Sequence, residues 1–207
     1  MNIFTIHFND KKIVFTTKPN VKQFQKNELA ALSNAETEKK IKEDFQWFIK
    51  QNKFNVLFFI SDNQAKIRTV FLKQFKLIEA AGGVIQNSKG ILFIYRNNKW
   101  DLPKGKVEKK EKIPLAAIRE CEEECGVKDL GIIKKLLPTF HLYKLNGKFV
   151  LKITHWFLMT APVKQKLKAQ KDEGITKVKW FKNMEIHQPL KNTYPSIREI
   201  FSHIHSA

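Results

Sequence analysis

The sequence predicts an α/β protein, because segments of strand length alternate with segments of helical pattern. Residues 54–60 form a short, continuous apolar run bounded by polar residues, which predicts a buried strand. Residues 114–125, closed by Gly126, predict a helix, and the Asn146-Gly147 pair between two apolar runs predicts a β-hairpin. A chain of 207 residues can hold one sizeable core, or one domain with a smaller partner.

The first 75 residues predict a small α/β unit in which no catalytic constellation is visible. Residues 2–15 alternate in polarity and break at Asn9-Asp10, which predicts a hairpin. Residues 21–51 have a helical pattern and precede the strand at 54–60. The proposed core face of this helix consists of Leu29, Leu32, Ile41, Phe45 and Phe48. Residues 65–75 fit either a short helix or a strand.

The remainder, residues 76–207, predicts a second and larger unit that begins with a glycine-containing strand. Gly82-Gly83 in that strand favours a bulge or the close approach of another backbone. The predicted strands are 78–86, 91–96, 132–137, 140–145, 149–159 and 178–181, and the predicted closing helix is 194–204. A lysine-rich loop follows the long strand, and we interpret it as a solvated loop; its lysines are Lys164, Lys166, Lys168 and Lys171.

Composition favours an anionic partner and a reducing compartment. The formal net charge is +18, which suits phosphorylated small molecules, nucleic acid or a membrane surface, although a lysine-rich proteome would also produce it. The only cysteines, Cys121 and Cys125, are four residues apart on one predicted helix, a poor spacing for a disulfide. No signal-peptide pattern and no apolar run of membrane-spanning length is present, so we expect a cytoplasmic protein that does not bind a membrane.

The predicted helix at 114–125 carries acids where helix stability disfavours them. At about 100° per residue, Ile118, Cys121 and Cys125 share one face, whereas three glutamates cluster on the other face. The glutamates are Glu120, Glu123 and Glu124. Carboxylates in a last turn meet the negative end of the helix dipole and repel one another. Two interpretations stay open from spacing alone, a site for a hard divalent cation and a charged surface helix.

This segment resembles the Nudix box, a long and specific signature. The match comprises Gly105, Glu111, Arg119-Glu120, apolar Cys121, Glu123-Glu124, Gly126 and apolar Val127, each at the spacing that the box requires. The one departure is Cys121 where an aliphatic residue is usual, and a buried thiol is a small hydrophobe that can serve there. The resemblance implies a Nudix-type α/β/α sandwich with a mixed sheet over residues 76–207, preceded by the small N-terminal α/β unit.

The resemblance also implies an activity and a set of roles. The family hydrolyses a nucleoside diphosphate linked to another moiety, using bound Mg²⁺ or Mn²⁺. By position, the implied metal ligands are Gly105, Glu120, Glu123 and Glu124, while Arg119 orients a box glutamate and Glu111 supports the site. The general base is Glu124, Glu120 or a downstream acid, for which Glu173 is the candidate; an exposed loop acid is the alternative interpretation of Glu173.

Substrate choice depends on residues outside the box. The stretch LPKGK at 102–106 resembles the diadenosine polyphosphate and diphosphoinositol polyphosphate hydrolases, which implies phosphate contacts from Lys104 and Lys106. Tyr143 lies sixteen residues after Val127, where dinucleoside polyphosphate hydrolases have a tyrosine, although an ordinary strand aromatic is nearly as good an interpretation. Arg96 either approaches phosphates or pairs with an acid.

We therefore expect a metal-dependent pyrophosphohydrolase acting on a phosphorylated small molecule, with a dinucleoside polyphosphate favoured. Nucleoside triphosphates, RNA 5′ ends and ADP-ribose stay open as substrates. A different class is a nucleotide-sensing regulator that binds DNA, but such proteins have a degraded box and an added C-terminal domain. The N-terminal unit could instead serve as a partner-binding or homodimerisation module.

Overall fold

The computed structural model of this chain describes residues 3–17 and 29–204. In those residues the strands are β1 (Phe4–Phe8), β2 (Lys11–Thr16), β3 (Ala30–Ser33), β4 (Val56–Ile60), β5 (Lys76–Asn87), β6 (Gly90–Arg96), β7 (Lys99–Asp101), β8 (Lys104–Lys106), β9 (Gly131–Lys135), β10 (Thr139–Leu145), β11 (Lys148–Thr160) and β12 (Ile175–Phe181). The helices are α1 (Glu38–Lys50), α2 (Gln64–Leu72), α3 (Ile113–Cys125), α4 (His187–Lys191) and α5 (Pro195–Ile204), with 3₁₀ turns at Lys171–Glu173 and Asn183–Glu185. None of these helices is both long and apolar enough to span a bilayer.

The chain divides into two compact units. The first contains Met1–Leu77 together with Phe140–Lys152, and the second contains Ile78–Thr139 together with Ile153–Ala207. The hairpin of β10 and the start of β11 thus belongs to the first unit, although it follows the predicted boundary by more than sixty residues. The predicted division into 1–75 and 76–207 stays a prediction.

The first unit is a sheet with the strand order β10-β1-β2-β4-β3. The predicted hairpin at its start is confirmed: β1 pairs antiparallel with β2, and Asn9 adopts a left-handed φ of 51° in the turn. β4 runs parallel to both β2 and β3. Aromatic rings from the two helices pack together against this sheet: the centroid of Phe71 on α2 lies 5.3 Å from that of Phe45 on α1 and 5.4 Å from that of Phe15 on β2.

The helix predicted for residues 21–51 is only partly correct. Residues 18–28 lie outside the described part of the chain, residues 30–33 form β3, and the helix α1 begins at Glu38. The Thr37 side chain accepts a hydrogen bond from the Lys40 amide and so caps α1 at this point. Leu29 and Leu32 are exposed, because the backbone here pairs with β4 and does not turn a helical face inward. The other three predicted core residues, Ile41, Phe45 and Phe48, are buried.

The second unit is an α/β/α sandwich, as predicted. Its strand order is β12-β6-β5-β11, with β7 paired to β6, β8 to β5 and β9 to β11. Successive residues of a strand face opposite sides of the sheet, so the unit has two apolar layers. Ala81, Ile85 and Ile94 pack with the α3 side, whereas Val84 and Phe93 pack with the α5 side. The strands and the closing helix predicted within residues 76–207 are present, and β7, β8 and α4 are additional.

Close backbone approach at the predicted Gly82-Gly83 pair is confirmed. A Cβ on Gly82 would lie 2.2 Å from the Pro103 carbonyl oxygen, and one on Gly83 would lie 2.9 Å from the Met159 sulfur. The Gly83 amide donates to the same Pro103 carbonyl over 3.1 Å. These contacts bring β8, which leads toward the acidic helix, directly against β5.

Candidate active site

The site is built on α3, whose ends agree with the sequence signals. Pro114 occupies the first turn, where its missing amide is not needed. Gly126 closes the helix in the left-handed region with a φ of 72°, and its amide donates to the Glu122 carbonyl over 2.8 Å. Cys121 and Cys125 are free and buried, and burial raises the pKa of both thiols well above the usual range. They serve as core residues on the inner face of α3.

The lysine-rich loop caps the C-terminal end of α3. The Lys168 amide donates to the Cys125 carbonyl over 2.8 Å, and the Gln170 amide donates to the Glu124 carbonyl over 3.3 Å. A helix end leaves its last carbonyls without intrahelical partners, and these two contacts satisfy them. The four lysine side chains are exposed, as expected for a solvated loop, but the helix-capping role of the backbone was not predicted.

Arg119 is the centre of an ion-pair network on the outer side of α3. Its guanidinium donates two hydrogen bonds to Glu111, of 2.8 and 2.9 Å. Further hydrogen bonds reach the carboxylates of Glu120 (2.8 Å) and Glu123 (3.0 Å) and the Lys106 carbonyl (3.1 Å). The Arg119 hydrogen bonds, with one from the Glu108 amide, lower the pKa of Glu111 to about 2. Arg119 therefore joins the loop before α3 to the carboxylates on it.

Glu120 lies against Gly105 on β8. A Cβ on Gly105 would lie only 1.7 Å from one Glu120 carboxylate oxygen, so this approach requires glycine. Burial raises the pKa of Glu120, and the hydrogen bond from Arg119 opposes that rise. The negative charges of Glu123 and Glu173 raise it further, which places Glu173 within electrostatic reach of the helix acids. Glu173 itself is exposed in the 3₁₀ turn Lys171–Glu173.

Glu124 does not lie on the polar face of α3, and the prediction that it does is wrong. Its exposed fraction is 1%, because it lies at the edge of the apolar stripe, next to Ala117 and Cys121. Its carboxylate accepts a hydrogen bond from the Lys104 amide over 2.8 Å and faces an Arg96 guanidinium nitrogen at 3.4 Å. Burial raises the pKa of Glu124 to about 7, and the positive charges of Lys104 and Arg96 oppose that rise.

Asp101 is a site residue that sequence reasoning missed. Its exposed fraction is 2%, and its carboxylate pairs with the Lys104 ammonium and lies 3.8 Å from the Arg96 guanidinium. The other carboxylate oxygen accepts from the Leu102 amide over 2.8 Å. The sequence did contain a signal, because Asp101 stands between two large apolar residues, Trp100 and Leu102. An acid that is buried with such neighbours needs a positively charged or hydrogen-bonding partner.

The donor set suits a hard divalent cation in its chemistry. Among the described residues, no three His, Cys, Asp or Glu side chains stand together as a ready metal-binding group, because the helix glutamates are turned toward cations of the chain itself. Burial nevertheless raises the pKa values of Glu120 and Glu124, so the cations beside them do not fully offset the cost of burying their anionic forms. Carboxylate oxygens in this condition fit Mg²⁺ or Mn²⁺, which prefer oxygen ligands.

Lys106 and Tyr143 are the two other predicted substrate contacts. The Lys106 side chain is exposed at the end of β8, and only its carbonyl joins the Arg119 network. Tyr143 lies on β10, in the first compact unit, where its ring stacks against His141 with centroids 5.7 Å apart. Its contact with substrate stays a prediction.

Comparison with known proteins matches residues 76–204 to the NUDIX domain family, which is more than half of the chain. Among solved structures, the chain is similar to a MutT NUDIX hydrolase from Burkholderia pseudomallei, with 22% identity, a TM-score of 0.47 and coverage of 61% of this chain and 97% of that one. A C. elegans Ap4A hydrolase has 23% identity, a TM-score of 0.46 and coverage of 62% and 98%.

A third similar structure is a bifunctional NMN adenylyltransferase/ADP ribose pyrophosphatase from Francisella tularensis, complexed with AMP and a Mn ion. It has 16% identity, a TM-score of 0.48 and coverage of 80% of this chain and 46% of that one. None of these similarities indicates a substrate. The family match, over the residues that carry the complete acidic helix and its sandwich, shows that this chain belongs to the Nudix family and is a pyrophosphohydrolase.

Proposed function

We propose that this protein hydrolyses a pyrophosphate bond in a nucleoside diphosphate linked to another moiety, with Mg²⁺ or Mn²⁺ as cofactor and a dinucleoside polyphosphate as the favoured substrate. One observation carries the proposal: burial raises the pKa values of two carboxylates of α3, Glu120 beside Arg119 and Glu124 beside Arg96 and Lys104. Partly buried carboxylates close to cationic side chains suit a metal ion that carries a polyphosphate.

The cofactor would be held by the carboxylates of Glu120, Glu123 and Glu124 and by the Gly105 carbonyl. When bound there, the cation would supply charge neutralisation for the transferring phosphoryl group and activation of the attacking water. Arg119 and Glu111 act by holding Glu120 and Glu123 in place through their short hydrogen bonds.

Phosphate binding is assigned to cations on β6 and β8. Arg96 and Lys104 lie beside Glu124, and Lys106 is exposed at the end of the same short strand. An ammonium acts as a point charge, whereas a guanidinium offers a planar pair of donors to phosphate oxygens. The net charge of +18 favours a highly phosphorylated substrate over a lightly charged one. Tyr143 is retained as the residue that would stack on a base.

The decisive experiment is a substrate panel with products identified in ¹⁸O-labelled water, in Mg²⁺ and in Mn²⁺. We expect the highest kcat/KM for a dinucleoside polyphosphate, compared with nucleoside triphosphates, 5′-triphosphorylated RNA and ADP-ribose. Turnover of none of these would contradict the proposed function. The DNA-binding regulator is tested separately, since retardation of duplex DNA at physiological salt would favour it and no retardation would exclude it.

Glu173 is our candidate for a general base outside the box, because its charge reaches Glu120 and its loop is tied to α3 by the Lys168 and Gln170 amides. Glu173→Gln is expected to lower kcat by about 100-fold, the contribution typical of general base catalysis, with little change in KM. Steady-state kinetics at several pH values measures this.

A matched control lies one residue away. Asp172→Asn removes the same charge from the same exposed 3₁₀ turn, and we expect it to stay within about twofold of wild type. Equal losses in Glu173→Gln and Asp172→Asn would assign the effect to the charge of the loop. A wild-type rate in Glu173→Gln would return the base to Glu120 or Glu124.

A further inference from the structure

The second unit contains a buried cluster of two cations and two carboxylates around the start of β8. Asp101 and Glu124 have side chains exposed by only 3% and 2%, and those of Arg96 and Lys104 are exposed by 19% and 11%. Charges this deeply buried are stable only when each has a partner. The distribution of the partners among the four groups therefore determines what each carboxylate is free to bind.

The two cations are divided unequally between the carboxylates. The Lys104 ammonium pairs with Asp101, whereas the contact of Lys104 with Glu124 is a hydrogen bond from its backbone amide. The Arg96 guanidinium spans both acids, with one nitrogen 3.4 Å from Glu124 and another 3.8 Å from Asp101. Asp101 thus forms the ion pair with the Lys104 ammonium, and the Arg96 guanidinium lies between Asp101 and Glu124.

The position of Asp101 is itself fixed by the backbone. One carboxylate oxygen accepts from the Leu102 amide over 2.8 Å, and the residue pairs with Ile94 in the ladder between β7 and β6. The second carboxylate oxygen is thereby directed toward Lys104 and Arg96. Without that oxygen, Lys104 and Arg96 would have Glu124 as the remaining carboxylate of the cluster.

We propose that Asp101 is a positioning residue that holds Lys104 and Arg96 away from full pairing with Glu124, so that the Glu124 carboxylate stays available to a divalent cation. This inference rests on the proposed function in one respect, the assignment of Glu124 as a metal ligand. In this arrangement Asp101 touches neither metal nor substrate. It acts through the two cations that it retains.

The test is binding of Mn²⁺ alone, measured by titration calorimetry on the purified full-length protein without any nucleotide. Asp101→Asn keeps an oxygen for the Leu102 amide and removes the charge that attracts the cations. We expect its Kd for Mn²⁺ to rise by about tenfold, within the range for residues that support metal ligands. Asp129→Asn is the matched control, since it makes the same change at an exposed residue with a φ of 57°, which Asn tolerates.

A double variant separates positioning from general loss of structure. Adding Lys104→Met to Asp101→Asn removes the ammonium that would otherwise move onto Glu124, so Mn²⁺ affinity should recover to within about threefold of wild type. If Asp101→Asn does not fold, Asp101→Ser, which also offers the Leu102 amide an acceptor, replaces it with the same expectation.

The outcomes separate this inference from the proposed function. Wild-type affinity in Asp101→Asn, or no recovery in the double variant, would overturn the role of Asp101. Failure of the wild-type protein to bind Mn²⁺ would overturn the role as well, together with the metal assignment. Mn²⁺ binding that follows our expectation, without hydrolysis of any substrate in the panel, would support Asp101 and contradict the proposed function alone.

Discussion

Replacing Glu124 by Gln is expected to lower kcat/KM for pyrophosphate hydrolysis by about 1000-fold, the scale seen when a group that stabilises transition-state charge is lost. The amide cannot supply the anionic oxygen that a divalent cation requires, yet it can still accept the Lys104 amide hydrogen bond. Steady-state assays in saturating Mg²⁺ measure the loss. We expect Glu123→Gln to abolish hydrolysis as well.

Glu122→Gln is the matched control, because Glu122 lies on the same turn of α3 and pairs only with Lys128 at 3.4 Å among the contacts described. It should keep activity within about twofold of wild type. A near-normal rate for Glu124→Gln, with the expected behaviour of Glu122→Gln, would contradict the metal assignment.

In the absence of metal, the same variant should be more stable than the wild type, although it is less active. Burial raises the pKa of Glu124 from 4.5 to about 7, so the folded protein holds more protons than the unfolded chain between those values. Stability of the wild type therefore falls as pH rises through this window. Glu124→Gln lacks this titrating group. Above pH 7, its free energy of unfolding should exceed that of the wild type by about 3 kcal/mol.

Chemical denaturation in EDTA at pH 4 and pH 8 tests this expectation. The stability difference between Glu124→Gln and wild type should be small at pH 4 and large at pH 8. A stability difference that does not change with pH would show that burial does not raise the pKa of Glu124 in the metal-free protein.

Gly105→Ala is expected to reduce activity by about 100-fold with a change of less than about 1 kcal/mol in the free energy of unfolding. The added Cβ would lie 1.7 Å from a Glu120 carboxylate oxygen, so one of the two must move. The carboxylate is the end of a flexible side chain, and the backbone of Gly105 is not in the left-handed region, so folding costs little. The displaced carboxylate also loses its place beside Arg119.

Activity assays and urea denaturation on the same preparation measure both effects. Gly131→Ala is the control, since a Cβ on Gly131 would have one neighbour, a Thr160 methyl group at 3.2 Å. We expect it to retain wild-type activity. Full activity in Gly105→Ala would mean that the position of Glu120 against β8 is not required.

Much of the second unit follows from local pattern. The bounds of α3, its Pro114 start and its Gly126 end are set by backbone preferences that act within a few residues. The glycine pair of β5 likewise indicated a close backbone approach, which the Pro103 carbonyl makes. The helix predicted for residues 21–51 was wrong at residues 30–33, because pairing with β4 overrides a local helical spacing.

By itself, the sequence determined the acidic helix, the spacing of its glutamates and the reaction class, because these depend on side chains close together in the chain. Only the tertiary structure decided that Glu124 is buried, that Asp101 holds the cations beside it and that the loop containing Lys168 closes the helix. Each of these depends on contacts between distant segments, where burial and charge pairing, and not local periodicity, determine the free energy. The Nudix box thus supplies the side chains for the reaction, and contacts with distant segments determine the charges around them.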